Sequence, residues 1–102
     1  MGEFVTVADA AEVGEGELAA FEVGGERIAV ANVGGTLHAF DDTCTHLRCS
    51  LAEGELEGTV VTCPCHGSQF DVTSGEVLRG PASEPVQSYA ARVENEALQV
   101  AI

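Results

Sequence analysis

Two short segments carry most of the chemical information in this chain: Cys44-Thr45-His46 and Cys63-Pro64-Cys65-His66-Gly67. Each offers a cysteine and a histidine as candidate metal ligands, in the spacings C-x-H and C-x-x-H, and residues 47–62 separate them. Two such loops can hold one metal centre from opposite sides. Because cysteines are kept reduced in the cytosol, clustered cysteines in a cytosolic protein indicate a metal before a disulfide. The two segments therefore predict a metal site.

The ligand pattern leaves two kinds of metal centre open. A tetrahedral zinc site with two cysteines and two histidines uses the same side chains. Zinc sites usually pair like ligands in each half, however, whereas each half is mixed here. A mixed half suits a two-iron cluster in which one iron binds both cysteines and the other binds both histidines.

Longer stretches around these segments resemble a known family. Cys44-Thr45-His46-Leu47 and residues 63–71 resemble the two cluster-binding boxes of Rieske iron–sulfur proteins. Other segments resemble those of the small Rieske-type ferredoxins from bacterial ring-hydroxylating oxygenase systems: residues 50–54, 75–77, 80–82 and 85–86. The resemblance spans nearly the whole chain. It implies one Rieske-type 2Fe–2S cluster, with Cys44 and Cys63 on the inner iron and His46 and His66 on the outer iron.

Two further cysteines, Cys49 and Cys65, lie one in each box. Cysteines at the matching positions form a disulfide in the Rieske subunits of cytochrome bc complexes, whereas many oxygenase ferredoxins have other residues there. The resemblance thus implies a Cys49–Cys65 disulfide, which would stabilise the fold by roughly 3 kcal/mol in the chain-entropy model. The alternative is a pair of thiols packed as small apolar side chains.

The resemblance also implies roles around the cluster. Ser68 matches a serine that donates a hydrogen bond to a bridging sulfide in high-potential members, and Phe70 replaces a tyrosine that donates to a cysteine sulfur there. Pro81, within Gly80-Pro81-Ala82, matches the proline loop that covers the cluster. With one donor present and one missing, we expect a potential in the lower half of the range of roughly −150 to +300 mV.

The rest of the chain predicts a single all-β domain, residues 1–102. Short apolar or alternating runs separated by glycine-rich turns predict strands over 4–7, 18–23, 27–33 and 36–40, and again over 86–93 and 98–102. The fold expected is an antiparallel β-sandwich scaffold, residues 1–40 and 83–102, with an inserted loop-rich cluster-binding subdomain, residues 41–82. Within the insertion, only 59–62, 69–72 and 76–78 have strand-like patterns.

Charge narrows the possible partners. Four arginines, no lysine and 17 acidic residues give a formal charge of −13. A surface this acidic repels nucleic acid and anionic membranes, and it favours a protein partner with a basic face. Acidic residues such as Asp41, Asp42, Glu53, Glu55 and Glu57 are interpreted as a solvated face.

We therefore predict a soluble, cytoplasmic, monomeric one-electron carrier and no enzyme activity of its own. The resemblance implies reduction by a flavin-containing NAD(P)H-dependent ferredoxin reductase and oxidation by the terminal oxygenase of an aromatic-ring dioxygenase system, with transient docking near His46 and His66. Two alternatives stay open: a fixed Rieske subunit of a larger oxidoreductase of the arsenite oxidase or nitrite reductase type, and a zinc-binding structural module.

Overall fold

Antiparallel strands make up most of the computed structural model, which describes residues 3–45, 49–65 and 67–101. Within these ranges, eleven strands form three sheets. The strands are β1 (Phe4–Asp9), β2 (Leu18–Val23), β3 (Glu26–Val33), β4 (Thr36–Asp41), β5 (Glu55–Glu57), β6 (Val60–Thr62), β7 (Gln69–Asp71), β8 (Val77–Arg79), β9 (Ser88–Tyr89), β10 (Ala91–Glu94) and β11 (Ala97–Ala101).

Two of the sheets form the scaffold, and each joins strands from both ends of the chain. One has the order β1-β11-β10, and the other has the order β2-β3-β4-β9. The β2–β3 hairpin turns at Gly24-Gly25, where φ is 58° and 85°. Two successive positive φ values give the turn that matches the twist of paired strands, and glycine adopts them without steric cost. The predicted all-β sandwich scaffold is confirmed.

The inserted segment contains the third sheet, in the order β5-β6-β7-β8. Strand β5 was not predicted, because its three residues hold a single apolar side chain, Leu56, between two glutamates. Short 3₁₀ turns at Ala10–Glu12 and Leu51–Glu53 are the helical segments of the described residues. No helix in this part of the chain is long and apolar enough to cross a membrane.

The prediction of one strand over residues 86–93 was wrong. The structure divides this stretch into β9, which pairs with β4, and β10, which pairs with β11. The exposed residue Ala90 lies between them, where the chain passes from one scaffold sheet to the other. Alternating polarity indicates which side chains are buried, but it does not indicate which sheet receives the strand.

Strand β3 contributes to two hydrophobic cores. Ile28 and Val30 are buried in the scaffold core, together with Leu98 and Val100 of β11. Ala29 and Ala31 point to the opposite face, because successive side chains of a strand alternate between its faces. There they join a second core, built largely from the inserted segment, which contains Leu51, Val61, Phe70 and Val72.

Candidate metal centre

Three loops of the inserted segment and its C-terminal border surround the candidate site. We call them the first loop (residues 43–50), the second loop (residues 63–68) and the third loop (residues 80–86). The first loop follows β4 and is closed by a β-bridge between Thr43 and Ser50. Inside that bridge, the backbone N–H of Cys44 donates a 2.9 Å hydrogen bond to the carbonyl oxygen of Cys49.

The second loop connects β6 to β7 and is also closed by backbone hydrogen bonds. The N–H of Cys63 donates to the carbonyl oxygen of Ser68 at 2.7 Å, and the N–H of Gly67 donates to the carbonyl oxygen of Cys63 at 3.2 Å. Both loops are therefore closed by backbone hydrogen bonds between their ends, and each has a cysteine near its start.

Cys49 and Cys65 link the first loop to the second. The structure pairs them as a disulfide, with their Cα atoms 6.5 Å apart. The Sγ atom of Cys63 lies within 4.8 Å of both paired sulfurs. The pair therefore lies beside one of the two cysteines predicted to bind iron.

Cys44 and Cys63 are the cysteines outside that pair, and both are buried. Their exposed fractions are 1% and 3%, and they lie in the same hydrophobic core as Phe70. The two predicted thiolate ligands, one from each loop, thus belong to the same hydrophobic core.

His46 and His66, the predicted imidazole ligands, lie outside the described residues. Their neighbours on the chain, Thr45 and Cys65, are both exposed. Each cysteine predicted to bind iron is thus buried, and the residue that follows it in its loop is exposed.

The third loop is hydrogen-bonded to both of the others. Its Gly80–Pro81 peptide bond is cis, and Pro81 is exposed. The N–H of Ala82 donates a 3.0 Å hydrogen bond to Oγ of Ser68, and Oγ1 of Thr45 donates at 2.7 Å to the carbonyl oxygen of Glu84. The segment singled out by its proline is therefore held against both cysteine loops.

Ser68 and Phe70 are both enclosed beside this site. Ser68 is 1% exposed, and its hydroxyl oxygen acts as the acceptor in the bond from Ala82, so that bond leaves the hydroxyl proton available for donation. Phe70 is fully buried on β7, between Val61 and Val77 of the neighbouring strands. Phe70 has no side-chain donor, as the sequence indicates.

The interpretation of Asp42 as part of a solvated acidic face was wrong. Its side chain is 1% exposed, and its carboxylate accepts a 2.8 Å hydrogen bond from Nε of Arg27. Ser50 and Ala52 also donate to this carboxylate. No local pattern indicates this arrangement, because the partners lie 15, 8 and 10 positions away along the chain.

One carboxylate just after the second loop has a perturbed acidity. Hydrogen bonds from the hydroxyl group and then the backbone N–H of Thr73 lower the pKa of Asp71 from its ordinary value of 3.8. The positive charge of His38 lowers it further, and partial burial opposes these effects. The ionised form of Asp71 therefore holds the turn between β7 and β8 in place.

The donor set suits an iron–sulfur cluster, because cysteine thiolates hold such clusters and both buried sulfurs come from loops linked by a disulfide. The profile of the Rieske [2Fe-2S] domain matches residues 3–90 of this sequence. The chain belongs to the Rieske [2Fe-2S] domain family. Its cofactor is a Rieske-type 2Fe–2S cluster, and the zinc alternative is discarded.

Relatives within the Rieske family indicate which branch is similar. The ferredoxin component of the naphthalene 1,2-dioxygenase/salicylate 5-hydroxylase systems of Ralstonia sp. is 34% identical over 84 residues, which are 82% of this chain and 81% of that protein. The ferredoxin of carbazole 1,9a-dioxygenase from Nocardioides aromaticivorans IC177 superposes with a TM-score of 0.92 at 29% identity, covering 96% of each chain. These relatives are electron-transfer components of dioxygenase systems.

A third similar structure contains a partner. A chain in the complex of reduced oxygenase and oxidised ferredoxin in carbazole 1,9a-dioxygenase superposes with a TM-score of 0.89 at 34% identity, covering 96% of this chain and 92% of that one. This Rieske protein thus shares its fold, over nearly its whole length, with chains of dioxygenase electron-transfer complexes.

Proposed function

We propose that this Rieske protein carries single electrons from a flavin-containing NAD(P)H-dependent reductase to the terminal oxygenase of an aromatic-ring dioxygenase system. The main observation that supports this proposal is the pair of buried cysteines, Cys44 and Cys63, in loops joined by the Cys49–Cys65 disulfide. The chain acts in the cytoplasm as a monomer and a single domain, in which residues 41–82 hold the cluster.

Within this proposal, Cys44 and Cys63 bind the inner iron, and His46 and His66 bind the outer iron. The cluster supplies reversible one-electron chemistry when bound. The polypeptide shields Cys44 and Cys63 from water, and the hydroxyl group of Ser68 can donate a hydrogen bond near Cys63. Exposed residues beside both histidines support electron exit on that side. Docking there involves a small, transient contact, as is usual for electron-transfer encounters.

The ligand assignment is tested with serine variants of all four cysteines. We expect Cys44→Ser and Cys63→Ser to lose the visible absorption and the EPR signal of a reduced Rieske cluster. Cys49→Ser and Cys65→Ser are matched controls, which should retain the signal and lose thermal stability. Equal loss of signal in all four variants, or full retention in Cys44→Ser, contradicts the assignment.

Electron transfer is tested with the purified components of a naphthalene dioxygenase system. The wild-type protein should support substrate oxidation when it replaces the native ferredoxin, and the rate should fall as salt rises, because acidic residues steer docking. Omission of either reductase or oxygenase is the control. A rate with this protein no higher than in the two omission controls would contradict the proposed partners.

The cysteine pair favours one alternative, a fixed Rieske subunit of a larger oxidoreductase. A fixed subunit would purify in a stable complex with catalytic chains, whereas a diffusing carrier purifies alone. Size-exclusion chromatography of the protein from its native host separates the two cases.

A further inference from the structure

The buried carboxylate of Asp42 joins the two ends of the first loop to the scaffold. We propose that Asp42 is a positioning residue for this loop. It fixes Cys44 relative to β3 by binding Arg27 on one side and residues 50–52 on the other. This inference rests on the proposed ligation of the cluster by the first loop. Asp42 itself does not contact the metal site in this assignment; it acts through the loop.

Three donors converge on this carboxylate. Oδ2 accepts hydrogen bonds from Nε of Arg27 at 2.8 Å and from Oγ of Ser50 at 2.6 Å. Oδ1 accepts from the backbone N–H of Ala52 at 2.8 Å. A single side chain at the start of the first loop is therefore bonded to residues at and beyond its end.

Backbone hydrogen bonds of the same residue extend these contacts. The N–H of Asp42 donates at 3.1 Å to the carbonyl oxygen of Arg27, and its own carbonyl oxygen accepts from the N–H of Leu51 at 2.7 Å. Asp42 is thus bonded through main chain and side chain both to β3 and to the Leu51–Glu53 turn. These hydrogen bonds fix the distance between the two ends of the first loop.

An ordinary surface ion pair does not explain this arrangement. Arg27 keeps 55% of its side-chain surface exposed, whereas Asp42 keeps 1%. Exposed ion pairs contribute little stability, but an ionised carboxylate out of water needs several donors to offset its lost hydration. Two of the three donors, Ser50 and Ala52, lie at the loop's end and just beyond it, so all three donors reach the carboxylate only when the two ends of the loop are held together.

The main test compares three variants. Asp42→Asn and Arg27→Gln each remove part of the network, and Arg92→Gln is the matched control. Arg92 is an exposed arginine that forms another ion pair among the described residues, and Arg92→Gln changes the net charge as Arg27→Gln does. Cluster loss is followed as bleaching of visible absorption with an iron chelator, well below the unfolding temperature.

We expect Asp42→Asn to lose its cluster about tenfold faster than wild type, because residues that orient metal ligands typically affect affinity 10–100-fold. Arg27→Gln should change the rate in the same direction, and Arg92→Gln should match wild type. The EPR lines of the reduced protein should broaden in the first two variants. Identical bleaching rates in Asp42→Asn and Arg92→Gln overturn the proposal. Bleaching at the wild-type rate also overturns it when the reduction potential shifts in opposite directions in Asp42→Asn and Arg27→Gln, because such shifts indicate an effect of charge alone.

A milder pair of variants covers the case in which Asp42→Asn does not fold. Ser50→Ala removes one donor, and Ser50→Thr restores the hydroxyl group. Positioning predicts faster cluster loss in the alanine variant and rescue in the threonine variant. Equal rates in both variants overturn it.

Amide hydrogen exchange provides a readout that does not depend on the cluster. The N–H groups of Leu51 and Ala52 should exchange faster in Asp42→Asn and as in wild type in Arg92→Gln. If wild type shows no Rieske EPR signal, the proposed function fails, while this exchange experiment still tests the loop closure. Unchanged exchange in Asp42→Asn overturns the inference.

Discussion

The hydroxyl group of Thr45 donates a 2.7 Å hydrogen bond to the carbonyl oxygen of Glu84, which is 39 positions later in the chain. Thr45 lies between Cys44 and His46, so this bond attaches the first loop to the third. Thr45→Val keeps the side chain's shape and removes the donor. We expect a loss of about 0.5–1.5 kcal/mol in unfolding free energy, measured by denaturant titration. Thr45→Ser keeps the donor and should stay near wild type; equal stability of the two variants would show that the bond contributes nothing.

A hydroxyl group added to Phe70 should raise the reduction potential. The ring is fully buried in the core that contains both buried cysteines, and hydrogen bonds to cluster sulfurs raise the potential by stabilising the reduced form. Phe70→Tyr is measured by voltammetry against Phe21→Tyr, a control whose ring packs on the scaffold core. The control should leave the potential unchanged. A potential that does not rise in Phe70→Tyr would mean that the new hydroxyl group does not reach a sulfur.

Gly75 allows close contact between the β7–β8 turn and the third loop. Its φ is +83°, and an added Cβ atom would collide with the carbonyl oxygen of Val86. Gly25 has a φ of +85° with open space around it. Gly25→Ala therefore measures only the loss of unfolding free energy caused by a side chain at a positive φ, about 1–2 kcal/mol. Gly75→Ala should be more destabilising than Gly25→Ala in thermal unfolding. Equal losses would mean that the third loop moves away without cost.

Acid stability should depend on Thr73. Its hydroxyl group is the main cause of the lowered pKa of Asp71. A carboxyl group whose pKa is lower in the folded state stabilises the fold above its unfolded value, 3.8 here, and this contribution is lost as pH falls through the folded-state pKa. Thr73→Val should therefore raise the pKa of Asp71 toward 3.8 in an NMR titration, and its stability difference from wild type should shrink at lower pH.

The control for this titration is Ser74→Ala. The Ser74 hydroxyl group accepts from the N–H of Glu76 and makes no bond to the Asp71 carboxylate. Ser74→Ala should therefore leave the pKa of Asp71 unchanged. A Thr73→Val variant with the wild-type pKa would assign the shift to the backbone bond.

Local patterns predicted much of the scaffold. The Gly24-Gly25 hairpin and the boundaries of β2 follow from alternation and turn chemistry, which are properties of neighbouring residues. The crossing at Ala90 could not be predicted in this way, because it depends on which sheet has a free edge. The buried Asp42 was missed for a similar reason, since its burial depends on donors distant in sequence.

The site was predicted from spacing and resemblance. Cys44 and Cys63 lie in one hydrophobic core, and Cys49 and Cys65 lie at disulfide distance. No sequence motif predicts the hydrogen bond from Thr45 to Glu84, because the residues around Thr45 do not indicate which group accepts its proton. The sequence thus indicated candidate residues for the centre, but it did not indicate the contacts that hold its loops together.

Strand β3 lies between two hydrophobic compartments and contributes side chains to both. Its larger side chains, Ile28 and Val30, belong to one compartment, and Ala29 and Ala31 belong to the compartment that contains the buried cysteines. Substitutions for greater heat resistance can therefore be sought in the first compartment, which contains neither buried cysteine.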